Sequence, residues 1–386
     1  MSTEGLYVGR EQTLIKHFIL HKYLERFAHI VGTQWDTLTY VDCFSGPWNA
    51  RSDQFEDSSF GIALHELRKA RDTHAQLGRR LRLRCFFLEK DANAYAKLKD
   101  FAKGIQDAEV ETRNATLEES VTDIVAFARA GGQKSFPFVF LDPTGWTGFE
   151  MATITPLLRL NPGEVLINFM TGHIRRFLES PQTETQESFE RLFGSSSFRK
   201  KVQGLARQDR EDATVREYTI NAKAAGGFKF GCSAIVLHPE RDRTHYNLIY
   251  LTRNPKGVEV FKEAEKKAME LQEAARAEAQ QRRRVARSGQ CELLASEALH
   301  DSSHYESLRD RYLAKTRDLV LRALESKRRL PYDDAWTLAL SEPMSWESDL
   351  KRWIKEWKQA GQIEIVGLQP HQRVPRRGED NILVWK

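Results

Sequence analysis

Short apolar segments alternate with longer amphipathic segments along much of the chain. The apolar segments are rich in β-branched and aromatic residues and end at polar or turn residues, which is typical of buried strands. Strands are predicted at 39–44, 83–88, 110–112, 138–141 and 165–169. Helices are predicted around them, at 11–30, 60–76, 92–103, 117–130 and 150–159. This alternation predicts a parallel sheet that is covered by helices on both faces.

The pattern changes after these five strands. Residues 233–237 and 246–251 are apolar, and only a short polar stretch separates them. No helix fits between them, so they are predicted to pair as an antiparallel hairpin. The preceding segment, about 172–226, is predicted to be a charged, helical insertion. Five parallel strands followed by such a hairpin resemble the class I methyltransferase fold, an α/β Rossmann sheet, here assigned to a domain at 1–255.

The last part of the chain has a different pattern. Residues 256–287 are rich in Ala, Glu, Lys, Arg and Gln, and they are interpreted as a solvated helix within a linker at 256–300 rather than as a phosphate-contacting helix. Helices are then predicted at 305–326, 331–340 and 345–360, followed by strands at 363–366 and 382–385. Three helices followed by a β-hairpin predict a winged-helix domain at 301–386.

Three arginines, Arg373, Arg376 and Arg377, lie in the loop between the last two predicted strands. Guanidinium groups in a wing are suited to phosphate contacts, so this loop is a candidate nucleic-acid-binding site. Winged helices also serve as protein–protein modules, and the third helix carries acidic as well as basic residues. Both interpretations of this domain stay open.

Composition narrows the choice of protein class. The 386 residues are 40% hydrophobic and 29% charged, so a packed core is expected and disorder throughout is not. No apolar run approaches the ~20 residues of a membrane helix, no secretory signal is visible, and the four cysteines lack zinc-site spacing. We therefore expect a reduced, cytoplasmic protein with no metal site. The net charge of +5 is compatible with a nucleic-acid partner.

Candidate binding residues follow the predicted strands, at the sheet edge where doubly wound folds bind ligands. Asp42, Phe44 and Gly46 come after the first strand, and the glycine allows a ligand close to the backbone. Glu89 follows the second strand and could accept the hydroxyls of a ribose. Asn114, near the third, could contact an adenine edge. Structural alternatives remain, since Asp42 could cap its turn and Glu89 could pair with a nearby cation.

The fourth strand ends at Asp142 and Pro143. This resembles the nucleic-acid amino-methyltransferases that use S-adenosylmethionine (SAM), in which an acidic side chain and the following proline carbonyl orient the target amine. The resemblance implies these roles for Asp142 and the Pro143 carbonyl. It also implies that Trp146 or Phe149 stacks on a flipped base.

A set of motifs extends the resemblance over most of residues 10–270. The chain carries Lys16 followed by Leu20 and Tyr23, and then, in order, YVDCFSGP at 40–47, FLDPTGW at 140–146, LINF at 166–169 and LTRNPKGVEVFK at 251–262. This order resembles that of the three-Cys-motif partner proteins. The resemblance implies a SAM-type core, a cofactor-binding role for Lys16, and a terminal winged helix. It also implies a radical-SAM-like partner protein that carries a three-cysteine motif.

Two loops depart from the methyltransferase pattern. The first has Gly46-Pro47-Trp48 where many methyltransferases have Gly-x-Gly, and Trp48 is expected to crowd the SAM carboxylate. The other has Thr144 and Gly145 after a single proline. The main hypothesis is a SAM-dependent methyltransferase acting on a nucleic-acid base amine. The alternatives are a catalytically silent adaptor that binds its partner protein or nucleic acid, and methylation of a small molecule or peptide.

Overall fold

A seven-stranded sheet forms the centre of the fold. The computed structural model describes residues 4–46, 50–177, 182–289 and 295–386, so the predictions that concern Pro47, Trp48 and Cys291 lie outside the described residues. The strands of this sheet are β1 (Thr37–Asp42), β2 (Arg82–Leu88), β3 (Glu109–Arg113), β4 (Ser135–Leu141), β5 (Glu164–Phe169), β6 (Phe230–Leu237) and β7 (Thr244–Thr252). Their order in the sheet is β3-β2-β1-β4-β5-β7-β6.

The direction of the strands confirms the predicted fold class. β1 pairs in parallel with both β2 and β4, and the parallel pairing continues to β3 and β5. β7 is antiparallel to β5 and to β6, so β6 runs in the same direction as the first five strands. This strand order, with one reversed strand, is that of a class I methyltransferase-like Rossmann sheet.

Helices cover both faces of the sheet. Those of the first 288 residues are α1 (Glu11–Val31), α2 (Ser59–Gln76), α3 (Ala92–Lys103), α4 (Leu117–Ala130), α5 (Met151–Leu158), α6 (Thr171–Phe177), α7 (Thr183–Phe193), α8 (Phe198–Val202), α9 (Arg207–Gly226) and α10 (Pro255–Ser288). α1, α2 and α10 share one buried cluster, whereas α4, α5 and the insertion helices α7–α9 share another. Tyr40 and Val41 are neighbours in β1 but belong to different clusters, because successive side chains of a strand point to opposite faces.

α10 is part of the core from Val258 to Ala279. It packs against α1, and Val258, Phe261, Ala264 and Ala268 are buried at helical spacing. The prediction of a solvated helix or linker at 256–287 was therefore wrong up to Ala279. The alanines that made the segment look solvated are small enough to let two helices approach closely. The proposed division into domains stays a prediction.

The C-terminal segment forms the helices α11 (Ser303–Lys327), α12 (Tyr332–Ser341) and α13 (Glu347–Gln359). A three-stranded antiparallel sheet completes it, with β8 (Arg329–Pro331), β10 (Ile382–Trp385) and β9 (Ile363–Val366) in that order. The three predicted helices and the predicted hairpin are present, and β8 is an additional strand. The winged-helix assignment stays a prediction.

Two buried charges on α10 hold this C-terminal segment against the core. Lys262 Nζ donates to the Glu342 carbonyl at 2.9 Å and lies 2.5 Å from Glu265 Oε2. Glu265 Oε1 accepts the Met344 backbone N–H at 2.8 Å. The Lys262 and Glu265 side chains are 3% and 0% exposed, so water does not satisfy them. The pair therefore joins the connection between α12 and α13 to α10.

Candidate functional site

A cavity of 760 Å³ lies where β1, β2 and β4 end. Its volume is within the range of about 300–1,000 Å³ that small-molecule sites occupy, and it lies at the point where the strand order reverses, between β1 and β4. Its wall comes from α1, from the strand ends and from the following loops, and it includes Arg10, Lys16, His17, Phe44, Gly46, Asp57, Glu89, Thr116, Asp142, Pro143, Asn168 and Tyr246. Six of the predicted site residues are therefore brought together: Lys16, Phe44, Gly46, Glu89, Asp142 and Pro143.

Asp42 organises the loop after β1. It is fully buried and does not itself line the cavity, although its neighbour Cys43 does. Its carboxylate accepts the Phe44 backbone N–H at 3.1 Å and the hydroxyl of Ser59 at 2.5 Å. Burial raises the pKa of Asp42 to about 6. Its contacts hold the loop that carries Phe44 and Gly46, and a direct contact with a cofactor stays a prediction.

The pKa of Asp42 leads to a pH-dependent stability. Because the folded-state pKa lies above the ordinary value of 3.8, the folded protein holds this proton more tightly than the unfolded chain does. The protonated Asp42 side chain therefore adds about 3 kcal/mol to the free energy of unfolding below about pH 4. This stabilisation is lost as the pH rises to about 6. Urea unfolding of the wild type and Asp42→Asn should show a difference in unfolding free energy that changes by this amount between pH 4 and 7. A constant difference would contradict the shift.

Glu89 and Asn114 lie at the ends of β2 and β3. Glu89 lines the cavity but is only 4% exposed, and its Oε1 accepts the Asp91 backbone N–H at 2.7 Å. The Asn114 amide donates to the carbonyls of Glu89 and Lys90, at 2.8 and 3.0 Å. Asn114 thus fixes the position of the Glu89 backbone, while Ala115 beside it lines the cavity. The adenine contact of Asn114 stays a prediction.

Asp142, at the end of β4, forms the centre of a polar group. Lys16 Nζ donates to Asp142 Oδ2, and Asn168 Nδ2 donates to Asp142 Oδ1 at 2.7 Å. Lys16 comes from α1 and Asn168 from β5, so three separate elements meet here. Lys16 was placed by resemblance among the cofactor-binding residues, but its contact is with Asp142 at the predicted amine-binding end.

The predicted stacking rings are packed elsewhere. The Trp146 ring lies 4.7 Å from the Phe177 ring and 5.6 Å from the Phe189 ring, in the helical insertion. Phe149 is fully buried in the core. Phe44 and Tyr246 are aromatic residues that do line the cavity. Stacking by Trp146 would require its ring to leave the present packing, and it stays a prediction.

The three predicted wing arginines differ in their environments. Arg377 pairs with Glu259 of α10 at 2.9 Å, and its guanidinium lies 5.5 Å from the centre of the Trp336 ring. Arg376 is exposed, 3.9 Å from Glu379, and Arg373 is exposed as well. Arg377 thus links the C-terminal segment to α10, whereas Arg373 and Arg376 remain accessible to a partner.

Sequence reasoning missed a second polar group of the cavity. Asp57 is buried, pairs with Arg10 at 2.5 Å and accepts the backbone N–H groups of Arg51 and Ser52. The sequence does hold a signal, because Asp57 directly precedes Ser58, the N-cap of α2, in a typical helix-start pattern. That pattern indicates a cap but does not show that the aspartate lines a cavity.

Two further features bear on the sequence predictions. Within the described ranges, no group of three His, Cys, Asp or Glu side chains is placed to hold a metal ion. In the same part of the chain, no helix is both long enough and apolar enough to cross a bilayer.

The strand order defines the class of fold as a methyltransferase-like Rossmann sheet. No family model and no curated protein matches the sequence. Solved structures that resemble it include LPL1258 from Legionella pneumophila, described as DUF519 (10% identity, 61% of this chain and 84% of that one, TM-score 0.35). Cofactor-bound Rv0187 from MTB is 14% identical, and the match covers 61% of this chain and 79% of that one, with a TM-score of 0.28. Loganic acid methyltransferase with SAH is 8% identical, and the match covers 67% of this chain and 81% of that one, with a TM-score of 0.32. These likenesses are weak, and the fold assignment rests on the strand order.

Proposed function

We propose that the cavity binds SAM and that the protein is a methyltransferase acting on an amine of a nucleic-acid base. The observation that carries the proposal is the meeting of Gly46, Glu89 and Asp142 around one cavity. These residues follow three different strands of a methyltransferase-like sheet, and each has a distinct chemical use. The experiment that tests the proposal directly is a titration with SAM, followed by a methyl-transfer assay on single-stranded DNA and RNA.

The residues on one side of the cavity fit the cofactor. Glu89 offers a carboxylate, which is the group that accepts paired ribose hydroxyls in nucleotide sites. Gly46 has no side chain, so a ligand can approach its backbone, and Phe44 adds an apolar ring. When bound, SAM supplies a methyl group on a positively charged sulfur. The acidic Glu89 side chain suits a ligand that carries hydroxyl donors and a positive charge.

The other side of the cavity fits an amine. Asp142 and the Pro143 carbonyl would accept the two N–H groups of a planar amine and so hold its nitrogen in one orientation. Asn168 donates to Asp142 Oδ1 and thereby prevents the carboxylate from rotating. Positioning by fixed acceptors is the catalytic contribution that these residues can make.

Substituting Glu89→Gln should weaken SAM binding by about 10- to 100-fold, because a neutral amide replaces the charged acceptor. Isothermal titration calorimetry with SAM and with its demethylated product measures this directly. Glu111→Gln is the matched control, since Glu111 lies on β3 and pairs with Arg113 at 3.2 Å. If the wild type and Glu89→Gln bind SAM with equal affinity, Glu89 does not contact the cofactor. If the folded wild type does not bind SAM at all, SAM is not the cofactor.

A group of arginines beside the cavity supports a polyanionic substrate. Burial, together with the charges of Arg243, Arg241, Arg276 and Arg283, lowers the pKa of His238 to about 4. The His238 ring lies 5.5 Å from that of His245, which lines the cavity. The turn between β6 and β7 therefore places Arg241 and Arg243 near the cavity, beside the acidic Glu240 and Asp242. An exposed guanidinium in this turn is suited to a phosphate contact.

Arg241→Ala should weaken binding to single-stranded oligonucleotides and reduce the slope of log affinity against log salt by about one phosphate contact. Arg241 is exposed on the β6–β7 turn. Arg80→Ala is the control, because Arg80 is exposed just before β2, at the opposite end of the strands. Fluorescence anisotropy over a series of salt concentrations measures the oligonucleotide affinity and the salt slope of both variants. If both variants lose the same affinity, the β6–β7 turn makes no specific phosphate contact.

A catalytically silent adaptor is the second candidate. It is favoured by the packing of Trp146 in the insertion and by the ion pair of Asp142 with Lys16. In this case the protein would bind a three-Cys-motif, radical-SAM-like protein, the partner that the sequence resemblance implies. Co-expression with such a protein should yield a stable complex without methyl transfer. Transfer by the isolated protein would contradict this alternative.

A further inference from the structure

Lys16 places a positive charge beside the acceptor that would bind the amine. Its side chain is 12% exposed and that of Asp142 is 15% exposed, so the pair is largely shielded from solvent but lines the cavity. Lys16 Nζ donates to Asp142 Oδ2. In the described part of the chain, Asp142 is the hydrogen-bond partner that the structure shows for this ammonium group. Because an ammonium carries three N–H donors, further donors remain for a ligand.

Asn168 fixes the direction of the Asp142 carboxylate. A carboxylate oxygen only accepts hydrogen bonds, so the Asn168 NH₂ group must face it and the Asn168 Oδ1 atom must face away. Asn168 Oδ1 is buried and has no hydrogen-bond partner among the described residues. One bond from Asn168 and one from Lys16 use two of the roughly four lone-pair positions of Asp142. The remaining positions can accept an N–H from a ligand.

The cavity wall thus offers a donor next to an acceptor. An amine on an aromatic ring, with a ring nitrogen beside it, has the complementary pattern: its N–H donates to Asp142 and its ring nitrogen accepts from Lys16. An isolated alkylammonium group offers only donors and would meet the like charge of Lys16. We propose that Lys16 is the specificity-determining residue of this site and selects an amine flanked by a ring-nitrogen acceptor, as in 6-aminopurine and 4-aminopyrimidine bases. This inference rests on the proposed function and assigns its specificity-determining residue.

Single-stranded oligonucleotides test the inference when the nitrogen beside the amine is replaced by C–H. One pair carries adenine or 1-deazaadenine at a single site, and another carries cytosine or 3-deazacytosine. Affinity and single-turnover methyl transfer are measured for each oligonucleotide. The wild type should prefer the natural member of at least one pair by about 10- to 100-fold, the effect of one hydrogen bond to a charged donor.

Variants of Lys16 then identify the donor. Lys16→Met should remove the preference by weakening the natural base about 10- to 100-fold more than its deaza counterpart, whereas Lys16→Arg, which keeps a charged donor, should retain most of it. Lys22→Met is the control, because Lys22 lies on the same helix and pairs with Glu25 at 2.9 Å. A preference that survives Lys16→Met, or a wild type that binds both members of each pair equally, would overturn the inference. Equal binding together with methyl transfer would leave the proposed function intact, whereas a base preference without any transfer would overturn the methyltransferase proposal alone.

Discussion

Asp142→Ala should reduce methyl transfer by at least about 100-fold and leave SAM affinity nearly unchanged. The Asp142 carboxylate is held from two sides, by Lys16 Nζ and by Asn168 Nδ2, so its position is set before a substrate binds. Losing a positioned acceptor displaces the amine, and a misplacement of about 1 Å can cost about 100-fold in rate. Glu89, at the end of β2, is unaffected by the change, which is why cofactor binding should persist.

Two further variants make this result interpretable. Asp142→Asn keeps one oxygen acceptor and should retain an intermediate rate. Asp36→Ala is the matched control, because Asp36 is 64% exposed immediately before β1 and pairs with Lys134 at 3.5 Å. Single-turnover transfer and calorimetry with SAM separate the rate from the affinity. Full transfer by Asp142→Ala would show that the amine is oriented by other groups.

Lys262→Met should destabilise the protein by about 3–5 kcal/mol, the usual cost of leaving one member of a buried ion pair without its partner. The substitution leaves Glu265 charged and fully buried, and it removes the bond to the Glu342 carbonyl. Burial also raises the pKa of Glu265. The remaining carboxyl can therefore become protonated at low pH, so the destabilisation should be smaller at pH 5 than at pH 8.

The double variant Lys262→Met/Glu265→Gln should recover part of the lost stability, because the amide carries no charge and can still accept the Met344 N–H. Lys256→Met is the control on the same helix, since Lys256 is 46% exposed and its pair with Glu259 is a surface pair worth at most about 1 kcal/mol. Urea unfolding gives the free energies, and limited proteolysis shows whether α11–α13 detach. If Lys262→Met is no less stable than Lys256→Met, the buried pair does not hold the C-terminal segment.

The local sequence pattern was sufficient to predict the helices and strands and to place the candidate residues at one edge of the sheet. The apolar runs at β1, β2, β4 and β5 are short and end at polar residues, and a parallel arrangement brings those ends to the same edge. Glu89 and Asp142 could therefore be placed near one ligand from the sequence alone. The β6–β7 hairpin followed from the short polar gap between two apolar runs.

Only the tertiary structure decided which side chains of distant elements contact each other. Lys16 and Asp142 are 126 residues apart, and no periodicity within α1 or β4 predicts that their side chains meet. Trp146 looked like a free aromatic ring after a strand, but the insertion helices pack on it. α10 looked solvated, but many of its alanine and valine side chains are buried, and the helix packs against α1.

The physical reason for this division is the range of the interactions. Strand and helix formation follows side-chain period and turn chemistry within a few residues, and the polarity of strand ends follows from the same pattern. Ion pairing, the burial of a helix face and the choice of which side chains line a cavity depend on which surfaces the whole chain brings together. The sequence by itself determined an α/β sheet with acidic strand ends, and the tertiary structure decided that Lys16 and Asn168, rather than Trp146, surround Asp142.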